Sequence, residues 1–435
     1  MTDRNPELRD HALDRKAVTI GAARGRNLVR TRCALRRLAI ASALTIAAGT
    51  APSAMAQSSA PLLHKQDLVY EGAFRVPGGG SESSTFGYGG TAIGYNPNNN
   101  SLFLTGHKNY QLSAEISIPA IVNSQNIGSL NTASILQSLR DATEGRRGQI
   151  NPGDSNDQRI GGHLVFGGKL YIAAFSYYDA SGTQSRSHFV RPLNLSTTGQ
   201  VQGPVAVGSN VHYTSAYMGL IPPEWQAALG GPALTGNCCR SIISNQSHGP
   251  SVWVFDPADV GSSSTAPATP LVYYTSSNPL GPGETTQNPL FNLTTRVGGV
   301  IFPQGSRSVL FFGQHGIGPY CYGDGSACGD PADDSKGTHA YPYVYQVWAY
   351  DANELLQVKN GSRQPWQVQP YDVWTFNVPF ETNGEHDQGG ATYDPSTGRI
   401  FFAQSKYGSE NLPLIHVFRV NVGPRPGSPS NLTAE

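Results

Sequence analysis

Arg159 and Arg296 each open an apolar run, in Arg159-Ile-Gly-Gly-His and Arg296-Val-Gly-Gly-Val, while Lys108 and Lys406 each close one. Two guanidinium groups fork well onto a carboxylate or a sulfate, and lysines add point charges beside them. His107 and His315 also stand at strand-like ends, where an imidazole near its ordinary pKa exchanges protons at neutral pH. Tyr88, Tyr177 and Tyr217 are candidate partner acids. Such a set suits β-elimination in a uronic-acid polymer: a base takes the proton next to the carboxylate, cations hold the developing charge, and an acid protonates the leaving oxygen. Lys108, Lys406, Tyr407, Tyr178 and Arg240 extend the substrate-facing set, with aromatic rings for sugar faces. A lone histidine at a strand end serves equally well as a hydrogen-bonded turn residue. The weight therefore falls on convergence.

Carboxylates offer a second chemistry. Asp157, Glu385 and Asp387 precede apolar runs, and two acids about 5–10 Å apart would make a glycoside hydrolase. Asp387 can also cap its own hairpin. Asp324, Asp330, Asp333 and Asp334 crowd the stretch 321–335, an oxygen-rich loop of the kind that takes Ca²⁺ but without EF-hand spacing. His107, His315 and His386 are an alternative transition-metal set. The chain contains no HExxH or paired CxxC. No glycine-rich stretch leads into the helix that a phosphate loop needs. A third reading is a rigid glycan- or protein-binding platform without catalysis.

These residues are positioned by a recurring hairpin: a glycine pair opening one strand, a polar turn, and a second apolar strand. The glycine pairs begin at 89, 161, 298 and 389, with a degenerate copy at 219, so the gaps are 72, 58, 79 and 91 residues. Familiar blade repeats run about 40–50 residues, so long loops are expected. Third strands follow at 115–119, 188–191, 251–256, 345–350 and 415–420, and fourth strands at 204–207, 271–274 and 371–376. The fourth strand of the first copy is obscure within 120–150, and the fifth copy has none after it. Asp67-Leu-Val-Tyr-Glu-Gly-Ala-Phe-Arg75 can fill that last place. The expected fold is all-β: a five-bladed β-propeller closed by an N-terminal strand. Residues 223–229 read as a short helix, and 125–147 as a stretch able to hold another. In such a ring the start of each innermost strand and the end of the second share one face. Their five tips differ: His-Lys, Tyr-Tyr, Cys-Cys-Arg, Gln-His and Lys-Tyr. Unlike tips favour one central site over five equivalent ones.

The repeat plan resembles that of secreted five-bladed glycosidases and related carbohydrate-active propellers. The resemblance covers architecture and implies a carbohydrate substrate. Blades one and three bring no acid to the entrance, so the three-acid pattern of those families is not matched.

Residues 1–37 are rich in arginine, 38–48 are apolar, and Ala54-Met-Ala56 gives an A-x-A site. The expectation is a signal peptide over 1–56, a propeller over 57–422 and a disordered tail over 423–435. The chain holds 30 basic and 30 acidic residues; the first 56 carry 10 and 4, leaving 20 against 26 and a net charge of −6. An acidic balance disfavours nucleic acid as a partner. No membrane anchor is expected, and a periplasmic or extracellular monomer is. Four cysteines remain beyond the leader: Cys321 and Cys328 are close enough to pair, while adjacent Cys238 and Cys239 pair either with each other or elsewhere.

Overall fold

The computed structural model describes residues 59–154, 157–239, 245–283, 285–381, 384 and 386–423, without the side chain of Glu82. The leader expected over 1–56, nearly all of the expected tail, Arg240 and Glu385 lie outside the described residues.

The alternating apolar runs form strands that assemble into five antiparallel sheets. The chain begins with β1 (Leu68–Arg75). Blade one follows as β2 (Ile93–Asn96), β3 (Ser101–Thr105), β4 (Ser113–Ser117) and β5 (Ile135–Arg140). Blade two is β6 (Gln158–Phe166), β7 (Lys169–Ser176), β8 (His188–Pro192) and β9 (Gln202–Val207). Blade three is β10 (Met218–Leu220), β11 (Ala233–Thr235), β12 (Val252–Phe255) and β14 (Ala268–Val272), while the two-residue β13 (Thr265–Ala266) runs parallel beside β9. Blade four comprises β15 (Arg296–Ile301), β16 (Ser308–Gly316), β19 (Tyr343–Asp351) and β20 (Asp372–Phe376), with a side hairpin of β17 (Cys321–Gly323) and β18 (Gly337–His339). Blade five is β21 (Gln388–Asp394), β22 (Arg399–Gln404) and β23 (Leu414–Val420), completed by β1. That last pairing runs antiparallel from Leu68 opposite Val420 to Arg75 opposite Leu414. The closure expected from the sequence is therefore the observed one.

Glycines on the innermost strands, within or just after the recurring pairs, have a packing cause. A Cβ at Gly94 would strike the carbonyl of His163, at Gly162 that of Ala216, and at Gly219 that of Val300. At Gly299 it would strike Ala391, and at Gly390 the backbone of Ala92 and Ile93. Read in order, these contacts run from blade one to five and back to one. Innermost strands can approach this closely around an axis only where side chains are missing. Three of them also carry a bulge there, between Ile160 and Gly162, Val297 and Gly299, and Gln388 and Ala391.

Aromatic side chains fill the wedges between blades. Phe402 of blade five meets Tyr345 and Phe376 of blade four edge-on, with ring centres 5.0 and 5.2 Å apart. Burying each such ring contributes about 1.5–3 kcal/mol. Two buried histidines pin neighbouring sheets together, and a third ties strands within blade five: His163 Nε2 meets Ser113 Oγ at 2.9 Å across blades one and two, and His188 Nε2 meets Thr235 Oγ1 at 3.0 Å across two and three. His416 joins Gln404 at 3.0 Å and the closing strand's Tyr70 at 3.1 Å.

The obscure strand of blade one is β5, flanked by 3₁₀ turns Ile127–Ser129 and Arg147–Ile150 where a helix was considered. The short helix Pro223–Leu229 is present and inserts Trp225 into the core. A second helix, Ala352–Lys359, links β19 to β20; Asp351 caps it through the Asn353 N–H at 2.9 Å, a signal hidden behind the long run of β19. No helix among the described residues is long and apolar enough to cross a membrane.

Candidate functional site

Because each innermost strand starts, and each second strand ends, on the same face, that face collects unlike side chains around the axis. A cavity of about 530 Å³ opens there. Blade one contributes Tyr88 and Lys108, blade two Arg159 and Tyr177, blade four Arg296, and blade five Asp387 and Lys406. All seven belong to the set singled out in the sequence. Residues 332–335, in the insertion after the side hairpin's first strand, close one wall with Asp333 and Asp334.

The four cations differ in how far they are already engaged. Arg159 forks onto Asp157 at 2.9 and 3.0 Å and stacks over the Tyr177 ring, 3.4 Å from its centre. Lys406 is ion-paired with Asp387. Lys108 lies 4.6 Å above the centre of the Tyr88 ring. Arg296 has no carboxylate partner among the described residues. Its guanidinium is thus the cation best placed to take an incoming anion.

Tyr88, with a left-handed backbone (φ 55°), accepts a hydrogen bond from Asn411 Nδ2 at 2.9 Å. Among the described residues its own hydroxyl proton has no acceptor. His107 sits behind it, edge-on at 5.7 Å, and does not line the cavity. Partial burial, with the Lys108 charge beside it, lowers the His107 pKa, so the ring is neutral near pH 7. Its Nδ1 accepts the Asn109 N–H at 3.2 Å. The basic lone pair therefore lies on that atom, and a base role requires this turn bond to give way.

Several expected members fall elsewhere. His315 is fully buried: its Nε2 donates to the Asn288 carbonyl at 2.7 Å, its Nδ1 accepts from Thr295 Oγ1 at 2.9 Å, and burial lowers its pKa to about 4. It is a packing residue, because the strand alternation that carries Gln314 to the cavity turns His315 away. Tyr217 is also buried; its hydroxyl donates to the Ser251 carbonyl at 2.9 Å and accepts the Ser251 N–H at 3.1 Å. Tyr178 is exposed outside the cavity, and Tyr407 packs edge-on against Phe380 rather than lining it.

Three of the four loop acids are occupied as well, and the fourth, Asp334, lines the cavity. Asp324 caps a helical turn through the Ala327 N–H at 2.9 Å. Asp330 is buried against His339 Nδ1 at 2.8 Å and the Tyr343 hydroxyl at 2.6 Å. Asp333 accepts the Ser335 N–H at 2.9 Å. Among the described residues no three His, Cys, Asp or Glu side chains are grouped to hold a metal ion. Among the described residues, then, Asp324, Asp330, Asp333 and Asp334 are not gathered into one such group, nor are His107, His315 and His386. Cys321 pairs with Cys328, and Cys238 with Cys239. The first bridge ties β17 to the helical turn ahead of the loop that reaches the cavity.

Among the lining residues that sequence reading missed, three polar ones stand out: Gln111, Gln388 and Ser405. Gln111 joins blades one and two, accepting the Ile160 N–H at 2.6 Å and donating to the Lys108 carbonyl at 2.7 Å. Gln388 and Ser405 line the blade-five wall. Their signal was positional: Gln388 directly precedes a glycine pair and Ser405 directly precedes Lys406. At the far ends of the innermost strands a second cavity of about 270 Å³ is lined by apolar groups including Leu164, Met218, Val300 and Phe302. Charge is confined to the first.

No protein-family model matches the chain, and no curated protein does. Solved structures do match along most of its length. An α-L-arabinanase mutant of Cellvibrio cellulosa aligns with 8% identity over 78% of this chain and 92% of its own, TM-score 0.40. An endo-arabinanase from Bacillus licheniformis aligns with 10% identity over 79% and 95%, TM-score 0.38. A luciferin-regenerating enzyme aligns with 8% identity over 77% and 92%, TM-score 0.32. The strand pairing above carries the fold.

Proposed function

We propose that this protein acts on an anionic carbohydrate at the axial cavity and cleaves it by β-elimination. The observation that supports this reading is Arg296: a guanidinium without a carboxylate partner among the described residues, facing a cavity of about 530 Å³ with three further cations and three tyrosines on its walls. A uronate carboxylate would be held by Arg296, which also favours the charge that builds on it as the neighbouring C–H bond breaks. A water in the cavity passes that proton to neutral His107 behind Tyr88, which accepts it at Nδ1 in exchange for the Asn109 N–H. Tyr88 gives its hydroxyl proton to the leaving glycosidic oxygen, the C–O bond breaks, and a carbon–carbon double bond forms. Proton transfer from His107 through solvent restores Tyr88.

The hydrolase alternative is less favoured for the acids at the blade entrances, because Asp157 and Asp387 are each engaged by a cation. A hydrolase would need one of a carboxyl pair free to donate a proton. The test is to incubate the protein with acidic and neutral polysaccharides while following ultraviolet absorbance of a conjugated uronate together with reducing ends. Both signals rising is the expected result. Reducing ends alone would mean hydrolysis, and binding with neither would mean a platform.

A further inference from the structure

On the blade-five wall two buried polar atoms have no hydrogen-bond partner among the described residues. Ser405 is 7% exposed and its Oγ makes no hydrogen bond; Gln388 donates through Nε2 to the Gly389 carbonyl at 2.5 Å, leaving Oε1 without a donor. Both side chains line the cavity. Leaving such atoms buried and unpaired costs about 1–3 kcal/mol each, so a ligand that satisfies them recovers that cost on binding. One atom is a donor and acceptor, the other an acceptor, and neither is charged. The partner that suits both is a set of hydroxyl groups.

Their location narrows the ligand further. Gln388 crosses the seam between blades and fills the space over Gly298, where a Cβ would collide with its amide nitrogen. Gly298 is two residues beyond Arg296 on β15, about 7 Å along the strand. That is the span of one sugar ring. Ser405 adjoins from the neighbouring strand, its N–H bonded to the Asp387 carbonyl at 2.9 Å.

We infer that Gln388 and Ser405 form an uncharged subsite that reads unsubstituted ring hydroxyls of the same hexuronate unit whose carboxylate Arg296 holds. This rests on the proposed carbohydrate function and adds a selectivity to it. Free-hydroxyl uronates are ligands; O-acetylated ones are rejected, because an ester leaves Gln388 Oε1 without a donor and adds bulk at the wall.

The experiment titrates the purified protein calorimetrically with galacturonate, glucuronate and mannuronate tetramers, their O-acetylated forms and their carboxyl-reduced forms. Wild type, Ser405→Ala and Gln388→Met are compared, the latter keeping bulk over Gly298. The expected result is tight binding of at least one free-hydroxyl uronate and at least tenfold weaker binding of its acetylated form. Each variant should bind the free form about 5- to 10-fold more weakly and lose the discrimination. Ser405→Ala should at the same time melt no lower than wild type, since its hydroxyl supports nothing in the free protein; a merely structural serine would show the reverse pattern. Uronate binding with unchanged affinity and discrimination in both variants would overturn the subsite alone. No binding of any uronate by wild type would overturn the proposed function and the subsite with it.

Discussion

The amide of Gln388 on blade five occupies the space that a side chain at Gly298 of blade four would need. The seam beside the candidate site is thus closed by a missing Cβ and a polar group reaching over it. Gly298→Ala would meet both that amide and the Gly389 carbonyl, and backbone gives way less readily than a side chain. The expected loss is about 1–3 kcal/mol, read from urea denaturation. Gly337→Ala, where no atom lies within 4 Å of the new Cβ, should stay within about 0.5 kcal/mol of wild type.

Arg296→Ala should leave the melting temperature within a few degrees of wild type and weaken binding of an oligohexuronate at least tenfold, since a charge-assisted bidentate contact disappears. Arg296→Lys should recover only part of it, because an ammonium cannot fork. Equal affinities in all three proteins would remove Arg296 from the site.

The two histidines that looked alike in sequence should behave oppositely. His107→Ala is expected to lower turnover with little change in stability. His315→Ala strands the Asn288 carbonyl and the Thr295 hydroxyl in the core and should destabilise by about 2–5 kcal/mol. Denaturation curves and rates measured on the same samples separate these outcomes, and a stable, slow His315→Ala would contradict the packing assignment.

Acid should unfold the protein through its buried histidines. Burial lowers His163 and His315 to about 4 and His188 and His416 to about 3. A histidine with a depressed folded pKa binds fewer protons when folded, so stability is whole above about pH 6.5 and declines as pH falls toward the folded values. Each contributes a slope of about 1.4 kcal/mol per pH unit in that window. His339 opposes them: although burial pulls its pKa down, its hydrogen bond to Asp330 leaves the net shift upward, so its contribution is present below about pH 6.5 and lost as pH rises through the folded value. Urea midpoints at pH 7.5, 6.0 and 5.0 should fall steeply, and His416→Gln should flatten the slope. A midpoint independent of pH would contradict burial of neutral rings.

The glycine pairs, the alternating runs and the orphan strand at 67–75 were enough to read the ring and its closure, because strand alternation and close backbone approach leave local marks. Arg159, Arg296, Lys108, Lys406, Tyr88, Tyr177 and Asp387 were legible for the same reason: they sit at strand ends that the topology must bring to one face. His315 and Tyr217 were misplaced by one step of that logic. A bulge or a single residue of offset turns a side chain from the axis into the wedge between blades.

What the amino-acid sequence determined alone was therefore periodic: how many blades, where each begins, which strand completes the last, and which residue types stand near the axis. What only the tertiary structure decided was pairing. Asp157 occupies Arg159, Asp387 occupies Lys406, and Asp330 is spent on His339 and Tyr343, while Arg296, Gln388 and Ser405 keep atoms facing the cavity. Period is a property of neighbours along the chain. Whether a charge or a hydrogen-bonding atom is still available depends on side chains brought within a few ångströms from other blades, and local sequence carries no record of that distance.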